Sequence, residues 1–228
     1  MREKLIPKII TIDGPSGVGK GTIAIMVADH FGFNYLDSGS LYRSLALALS
    51  EANIDIDKDL LDLKKILAKI NIDYRYHKNG EITIFVNNKE YTNKIRTENV
   101  AKMASEVAKN SSAREMLEVI QRNHIKSPGL VADGRDMGTK VFTEANIKFF
   151  LTASVEKRAE RRLNQLKDQG ISDNLPNLIK ELLLRDKADT ERAISPLVPA
   201  KDAVIVDTTN LNVPQVFTKI KKEVDKKI

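Results

Sequence analysis

The amino-acid sequence predicts an α/β fold, in which a doubly wound parallel sheet carries a small antiparallel β-containing insert. Short apolar segments alternate with helical segments along most of the chain, a pattern typical of a parallel sheet covered on both faces. One stretch in the middle instead alternates with period two between turn residues, as antiparallel strands do. The 228 residues, of which 42% are apolar and 30% charged, suffice for one large core and a smaller appendage.

Five apolar segments are expected to form the parallel sheet. They are residues 9–12, 33–36, 129–132, 147–151 and 203–206. Helices separate them, and in the first helix Ile23, Val27 and Phe31 share one face. The last helix is expected to begin near Pro214, with Asn212 as its N-cap.

Residues 65–104 are assigned to the insert. Residues 72–76 and 82–86 read as strands joined by Lys78-Asn79-Gly80, and Asn-Gly is a strong hairpin signal because both residues tolerate positive φ. A second turn at Asn87-Asn88 allows a third strand. An ordinary α+β excursion explains this stretch equally well, and nothing local decides between the two interpretations. The core then comprises residues 1–64 and 105–228.

Composition and charge limit the functions open to the chain. Zero cysteines exclude disulfides, thiolate metal sites and cysteine nucleophiles. The three histidines lie far apart without the spacing of metal ligands. The apolar runs are too short to span a bilayer, and Lys8 interrupts any signal-peptide core, so we expect a cytoplasmic protein with no membrane partner. The net charge of +6 suits polyanions, and the scarcity of aromatic residues favours nucleotides over nucleic acid.

The sequence carries a phosphate-binding loop between the first strand and the first helix. Its glycines let backbone N–H groups converge on phosphate, and the helix N-terminus adds partial positive charge. Lys20 then reaches the β- and γ-phosphates. Gly21 follows the lysine and moves the hydroxyl to Thr22, a form typical of nucleoside monophosphate kinases. The predicted ATP-binding residues of the loop are Gly14, Pro15, Ser16, Gly17, Val18, Gly19, Lys20, Gly21 and Thr22.

Arginines supply candidates for the second half of a kinase site, because charge on a transferring phosphoryl group must be neutralised and arginine grips phosphate through two hydrogen bonds. Arg43, Arg135 and Asp136 follow strands and are expected at the carboxyl edge of the sheet, where α/β proteins bind ligands. The candidates are Arg43, Arg96, Arg114, Arg135, Arg158, Arg161, Arg162, Arg185 and Arg192.

Two helical segments place further candidates. Arg185, Asp189 and Arg192 are spaced i, i+4, i+7, which predicts one helical face; an exposed, salt-bridged face is the alternative. Residues 112–115 have the capping-box pattern, which predicts Ser112 as an N-cap and places Arg114 just inside a helix start.

These motifs together resemble bacterial-type cytidylate kinase, a nucleoside monophosphate kinase within the P-loop kinases. The similarity runs from about Lys8 to Val224. It rests on Asp13-Gly14-Pro15-Ser16-Gly17, Leu36-Asp37-Ser38-Gly39, Tyr42-Arg43, Ile95-Arg96-Thr97, residues 132–138 and residues 196–200. The resemblance implies a P-loop kinase core, a CMP-binding insert, a helical lid at about 155–190, a monomer, and direct in-line transfer from ATP with Mg²⁺ to CMP or dCMP.

The resemblance also implies roles for single residues. Ser38, Arg43 and Arg135 match positions that hold the CMP phosphate, and Ser105, Arg114 and Asp136 match those that read cytosine. Arg185, Asp189 and Arg192 match a group that serves the sugar and the phosphates, and Arg158 and Arg162 match a mobile lid over ATP. Lys20, Arg135, Arg185 and Arg192 are the predicted catalytic residues. The Mg²⁺ ligands stay unassigned, and Ala188 departs from a position where many members carry a basic residue.

The residue chemistry agrees with this reading of the base. The N4 amino group of cytosine donates a hydrogen bond that a carboxylate such as Asp136 accepts, whereas uracil presents an oxygen there. Two rivals are a kinase that acts on AMP, UMP, dTMP or shikimate, and a basic nucleic-acid-binding module with ATPase activity. The Asp-Gly-Arg-Asp run at 133–136 argues against the first, and the few aromatic residues argue against the second.

Overall fold

The computed structural model describes residues 6–54, 65–77, 81–168, 170 and 172–228. The strands are β1 (Lys8–Asp13), β2 (Asn34–Asp37), β3 (Ile72–Tyr76), β4 (Ile82–Val86), β5 (Lys89–Glu90), β6 (Gly129–Gly134), β7 (Ile147–Thr152) and β8 (Val204–Asp207). The α-helices are α1 (Lys20–Phe31), α2 (Ser38–Glu51), α3 (Glu98–Val107), α4 (Ser111–Arg122), α5 (Val155–Asp168), α6 (Leu175–Glu191) and α7 (Val213–Val224). A 3₁₀ turn spans Lys94–Arg96 and a π-helical turn spans Met137–Val141.

The main sheet is parallel and has the strand order β2-β6-β1-β7-β8. Successive side chains of a strand point to opposite faces. Leu130 and Ala132 of β6 accordingly join the core cluster that includes α2 and α4, whereas Val131 joins the cluster that includes α1 and α7. Helices therefore cover both faces, and the predicted doubly wound α/β class is confirmed.

The insert contains a three-stranded antiparallel sheet in the order β3-β4-β5. Ile72 pairs with Val86, as the two predicted strands require. Asn87 and Asn88 have φ of 48° and 66° and make the second predicted turn, which asparagine tolerates better than most residues. The first turn, Lys78-Asn79-Gly80, lies outside the described residues. The three-stranded sheet favours the interpretation as an insert over an ordinary excursion.

The insert packs on the main domain through one continuous apolar cluster. Tyr74 and Ile84 of its sheet share that cluster with Leu36 and Leu130 of the main sheet. Helix α3 continues across residues 104 and 105, where the sequence placed the end of the insert. Among the described residues, no helix combines the length and the apolar character that crossing a membrane requires.

Two sequence predictions about helix ends are wrong. The N-cap of α4 is Asn110, whose side chain accepts from the Ala113 amide, and Ser112 lies inside the helix. Asn110 stands two residues earlier and caps as well as serine, so the capping-box pattern was misplaced. Helix α6 ends at Glu191, and Arg192 leaves the helical conformation with a ψ of 138°. It is therefore not on the helical face of Arg185 and Asp189, as the spacing had predicted.

Candidate active site

The phosphate-binding loop is held tightly against strand β7. Gly14 has a φ of 147°, and a Cβ atom there would lie 2.2 Å from the Leu151 carbonyl oxygen. Gly19 has a φ of 91° and forms the N-cap of α1. Both positions need glycine, because other residues rarely adopt these conformations. The loop therefore has the backbone shape that its sequence predicts.

Lys20 occupies the first position of α1 and is buried. Its Nζ donates a 2.8 Å hydrogen bond to the Pro15 carbonyl oxygen, across the loop. Burial, together with the nearby Arg135 and Arg185 guanidinium groups, lowers the pKa of Lys20 to about 7, against the opposing effect of Asp133. An anion bound in the loop would raise the pKa of Lys20 again, because an opposite charge favours the protonated amine.

Carboxylates stand at the ends of three neighbouring strands. Asp37 and Asp133 pair in register at the ends of β2 and β6. Burial and the neighbouring Asp37 carboxylate together raise the pKa of Asp133 to about 7. The Tyr35 hydroxyl donates to Asp133 Oδ1 at 2.6 Å. Asp13, at the end of β1, accepts from the amides of Met137 and Gly138 at 2.9 and 2.8 Å. Its carboxylate thereby fixes the turn that follows β6.

A cluster of guanidinium groups lies beside these carboxylates. Arg135 Nε donates to Asp189 Oδ2 at 2.8 Å, and Arg192 Nη1 lies 3.8 Å from Asp189 Oδ1. Arg185 Nε is buried and has no hydrogen-bond partner in the described part of the chain. Burial, together with the neighbouring Arg135 and Arg43 guanidinium groups, lowers the pKa of Arg185 to about 10. The cluster therefore holds more positive charge than its one carboxylate balances.

A second buried ion pair joins Arg114 of α4 to Asp136, just after β6. Arg114 Nη1 also donates to the Ala108 carbonyl oxygen at 3.2 Å, and the guanidinium lies 5.6 Å from the centre of the Tyr42 ring. Arg114, Tyr42 and Gln121 line a pocket of about 150 Å³. The structure thus brings two of the three predicted cytosine-reading residues into one ion pair, and Arg114 of that pair lines the pocket.

Ser105, the third residue predicted to recognise cytosine, makes its hydrogen bond elsewhere. Ser105 lies within α3, and its Oγ donates to the Ala101 carbonyl oxygen at 3.2 Å, inside its own helix. The structure shows no hydrogen bond from Ser105 to Arg114 or Asp136 within the described residues. Its role in base recognition stays a prediction.

The predicted phosphate-holding residues open helix α2. Asp37 is the N-cap and accepts from the Ser40 amide. Ser38 is buried at the first helical position and accepts a 2.8 Å hydrogen bond from Gln121 Nε2. Arg43, one turn further on, donates from Nη1 to the Ile95 carbonyl oxygen at 3.0 Å. Helix α2 thus presents Ser38 and Arg43 from one rigid element.

Helices α5 and α6 occupy the region expected to form the lid. Arg158 of α5 donates to both carboxylate oxygens of Asp186 in α6, at 3.1 and 2.5 Å, and to the Ser16 carbonyl oxygen at 3.1 Å. Arg162 pairs with Glu98 at the start of α3. Arg158 thus links the lid to the phosphate loop, and Arg162 links it to α3.

Several polar residues of the site carried no role in the sequence prediction. Arg161 donates to the Val18 carbonyl oxygen at 3.3 Å and to Thr208, and its spacing of three from Arg158 could have indicated a shared face. Asp13 and Asp133 lie within the recognised motifs at 13–17 and 132–138, which gave Asp13 no role of its own. Tyr35 and Gln121 gave no signal, because only the packing of distant segments brings them to the site.

The fold and the site define a P-loop phosphotransferase: a glycine loop with a buried lysine at a helix N-terminus, facing guanidinium groups at the carboxyl edge of a parallel sheet. The family model for cytidylate kinase matches residues 10–226. The chain belongs to the cytidylate kinase family.

Curated relatives and solved structures accompany this match. A cytidylate kinase of Marinomonas sp. (strain MWYL1) is 48% identical over 218 residues, which cover 96% of each chain. A cytidylate kinase of Colwellia psychrerythraea (strain 34H) is 45% identical over 212 residues, or 93% of each chain. A gluconokinase structure from Sinorhizobium meliloti 1021 matches at 13% identity and a TM-score of 0.42, covering 97% of each chain; this likeness is too weak to bear on the fold.

Proposed function

We propose that this chain transfers the γ-phosphoryl group of ATP directly to the phosphate of CMP and dCMP, as a cytoplasmic monomer. The observation that carries the proposal is the convergence of Lys20, Arg135 and Arg185 at one sheet edge, together with the buried ion pair of Arg114 and Asp136. Membership of the cytidylate kinase family supports the choice of substrate. Sedimentation equilibrium tests the monomer, for which the expected mass is 25.5 kDa.

The loop amides and Lys20 are assigned to the donor nucleotide. Lys20 would exchange its bond with Pro15 for the β- and γ-phosphates, whose charge restores the protonated amine. Arg158 and Arg162 are assigned to the lid over ATP. Closure of the lid would exclude water, which otherwise attacks ATP.

Arg135, Arg185 and Arg192 are assigned to the transferring group. The buried Nε of Arg185 and Nη2 of Arg192 have no partner among the described residues, and phosphate oxygens would satisfy them. Preorganised donors of this kind stabilise charge on the transferred group without rearrangement. No strong general base is needed, because the acceptor phosphate is already anionic.

The acceptor nucleotide would lie between α2 and α4. Ser38, Arg43 and Arg135 are assigned to its phosphate, and Asp189 with Arg185 and Arg192 to its sugar. The carboxylate of Asp136, with Arg114 and Ser105, is assigned to cytosine, and it would accept a hydrogen bond from the N4 amino group. Uracil would instead place an oxygen against this buried carboxylate, and the two acceptors would repel each other. The family resemblance leads us to expect a basic residue at the position of Ala188. The preference between ribose and deoxyribose is therefore left to measurement.

The residues present also fit Mg²⁺ bound with the nucleotide. Asp37 and Asp133 lie side by side at the ends of adjacent strands, and Mg²⁺ typically takes one or two carboxylates together with phosphates and waters. A cation there would favour the ionised form of Asp133, whose pKa burial raises. When bound, Mg²⁺ neutralises phosphate charge; Asp37 and Asp133 would hold it directly or through water.

A coupled assay of ADP release with Mg·ATP tests the proposal. The acceptors are CMP, dCMP, UMP, AMP and shikimate. We expect turnover with CMP and dCMP, and a kcat/KM for UMP at least about 100-fold lower. Activity on another acceptor without activity on CMP would keep the P-loop assignment and refute the acceptor. ATP hydrolysis stimulated by RNA or DNA, without CMP phosphorylation, would refute both.

A further inference from the structure

Gln121 is buried beside the acceptor pocket, although nothing in the sequence marks it. It is 1% exposed, and its Nε2 donates to Ser38 Oγ at 2.8 Å across 83 residues of sequence. Its Oε1 is also buried and has no partner within the described residues. A buried amide whose carbonyl oxygen accepts no hydrogen bond costs stability. Such a residue calls for an explanation beyond packing.

The hydrogen bond from Gln121 decides how the Ser38 hydroxyl can be used. A hydroxyl has one proton and two lone pairs. Since Gln121 donates to a lone pair of Ser38, the proton of Ser38 stays available for another acceptor. The side chain of Ser38 is buried at the first position of α2, so its O–H group is held in one direction. A phosphate oxygen of the acceptor nucleotide is the acceptor that the proposed function supplies.

Helix α4 couples this contact to base recognition. Arg114 and Gln121 are seven residues apart, both are buried on the same face of α4, and both line the pocket. Seven residues span about 10 Å along a helix, which is on the scale of a nucleoside monophosphate. One rigid helix therefore carries the residue assigned to the base and the partner of the residue assigned to the phosphate.

We propose that Gln121 is a positioning residue that directs the Ser38 hydroxyl proton toward the phosphate of the acceptor nucleotide. The inference rests on the proposed function only in taking a nucleoside monophosphate as the acceptor. Gln121 acts through Ser38 and is not itself assigned a contact with the transferred group.

Two near-isosteric substitutions test the direction of the hydrogen bond. Gln121→Met removes the donor and should raise the KM for CMP at least about 10-fold, with the KM for ATP within about twofold of wild type. Gln121→Glu converts the donor into an acceptor, which would capture the Ser38 proton and repel the phosphate. It should therefore raise the KM for CMP about 10-fold beyond Gln121→Met. Val119→Ala, on the exposed side of the same helix, is the matched control.

A double-mutant cycle separates positioning from packing. In a Ser38→Ala background, Gln121→Met should change the KM for CMP by less than about twofold, because its only route to the phosphate is gone. KM does not depend on the amount of folded enzyme, so partial unfolding of a variant does not imitate the expected result.

The outcomes distinguish this inference from the proposed function. A wild-type KM for CMP in Gln121→Met, an equal rise in the KM for ATP, or full additivity with Ser38→Ala would overturn the positioning role. If the wild-type enzyme phosphorylates another nucleoside monophosphate and not CMP, the proposed function fails. The same cycle on that substrate then decides the role of Gln121, since the contact concerns the phosphate and not the base.

Discussion

At the scale of single residues, the site keeps arginine side chains out of water without satisfying all of their donors. Arg185 and Arg192 each hold one buried nitrogen without a partner in the described chain. Leaving such a donor unpaired costs about 1–3 kcal/mol. A phosphate bound as proposed would supply the missing acceptors and offset this cost.

Arg43 and Arg135 should each matter for turnover. Arg135 is held by Asp189 at 2.8 Å and Arg43 by the Ile95 carbonyl oxygen at 3.0 Å, so both guanidinium groups are oriented before substrate binds. Loss of one charge-assisted contact costs about 1.5–3 kcal/mol, so Arg43→Ala and Arg135→Ala should each slow phosphorylation of CMP at least ~10-fold. Steady-state kinetics with purified variants measures this.

The matched control is Arg75→Ala. Arg75 is exposed on strand β3, where it pairs with Asp73 and lies over the Phe85 ring, so its removal should leave kcat/KM within about twofold of wild type. Near-normal kinetics in both Arg43→Ala and Arg135→Ala would remove these residues from the phosphate site.

At the scale of secondary-structure elements, parallel strands bring distant segments to one edge. Asp13, Asp37 and Asp133 end three neighbouring strands, and the phosphate loop and helix α2 begin directly beyond two of them. Short connections at the carboxyl ends make this edge the place where ligands bind in α/β folds. Helix N-caps set where each following helix starts, and so where its first side chains lie.

Helix α7 offers a direct measure of capping. Asn212 accepts from the Gln215 amide at 3.0 Å, and Gln215 Oε1 accepts from the Asn212 amide at 2.9 Å. Asn212→Ala removes the side-chain acceptor of the Gln215 amide and should lower the free energy of unfolding by about 1 kcal/mol, as measured by urea denaturation. The kcat per folded enzyme should not change, because α7 carries no residue assigned to the site.

Asn212→Asp is the control for this helix. Aspartate keeps the acceptor and adds a favourable charge at the helix N-terminus, so its stability should stay close to that of wild type. Equal losses in the two variants would show that the side-chain cap contributes little to α7.

At the scale of the whole molecule, burial of ionisable groups makes stability depend on pH. Burial raises the pKa of Asp13 from 3.8 to about 6, against the opposing effect of its two backbone hydrogen bonds. Between about pH 4 and pH 6 the folded chain therefore binds a proton that the unfolded chain has released. The contribution of this group is fully present below pH 4 and is lost as the pH rises through 6.

Asp13→Asn should remove this dependence. From pH 5 to pH 7, the free energy of unfolding of wild type should fall by about 1 kcal/mol more than that of the variant. Urea denaturation at the two pH values gives the difference. Asp168→Asn, at an exposed position on α5, should follow wild type. Parallel changes in wild type and Asp13→Asn would contradict the raised pKa of Asp13.

The sequence by itself determined the order of strands and helices, the phosphate loop and the insert. These features depend on local chemistry: apolar alternation gave residues 72–76 and 82–86 as strands, and glycines at Gly14 and Gly19 gave the backbone of the loop. Family motifs added the candidate site residues. Helix ends were less secure, because Asn110 and Ser112 are nearly equivalent caps and only the path of the chain selects one.

The tertiary structure alone decided which polar groups meet. Gln121 reaches Ser38, Tyr35 reaches Asp133, and Arg158 reaches Asp186, through contacts between residues 28 to 98 positions apart. No local pattern encodes such pairs, because each results from the packing of two elements on a common sheet. The same packing removes water from Lys20 and Asp133 and so shifts their pKa values. Burial is a property of the folded chain, and the electrostatics of the site follow from burial.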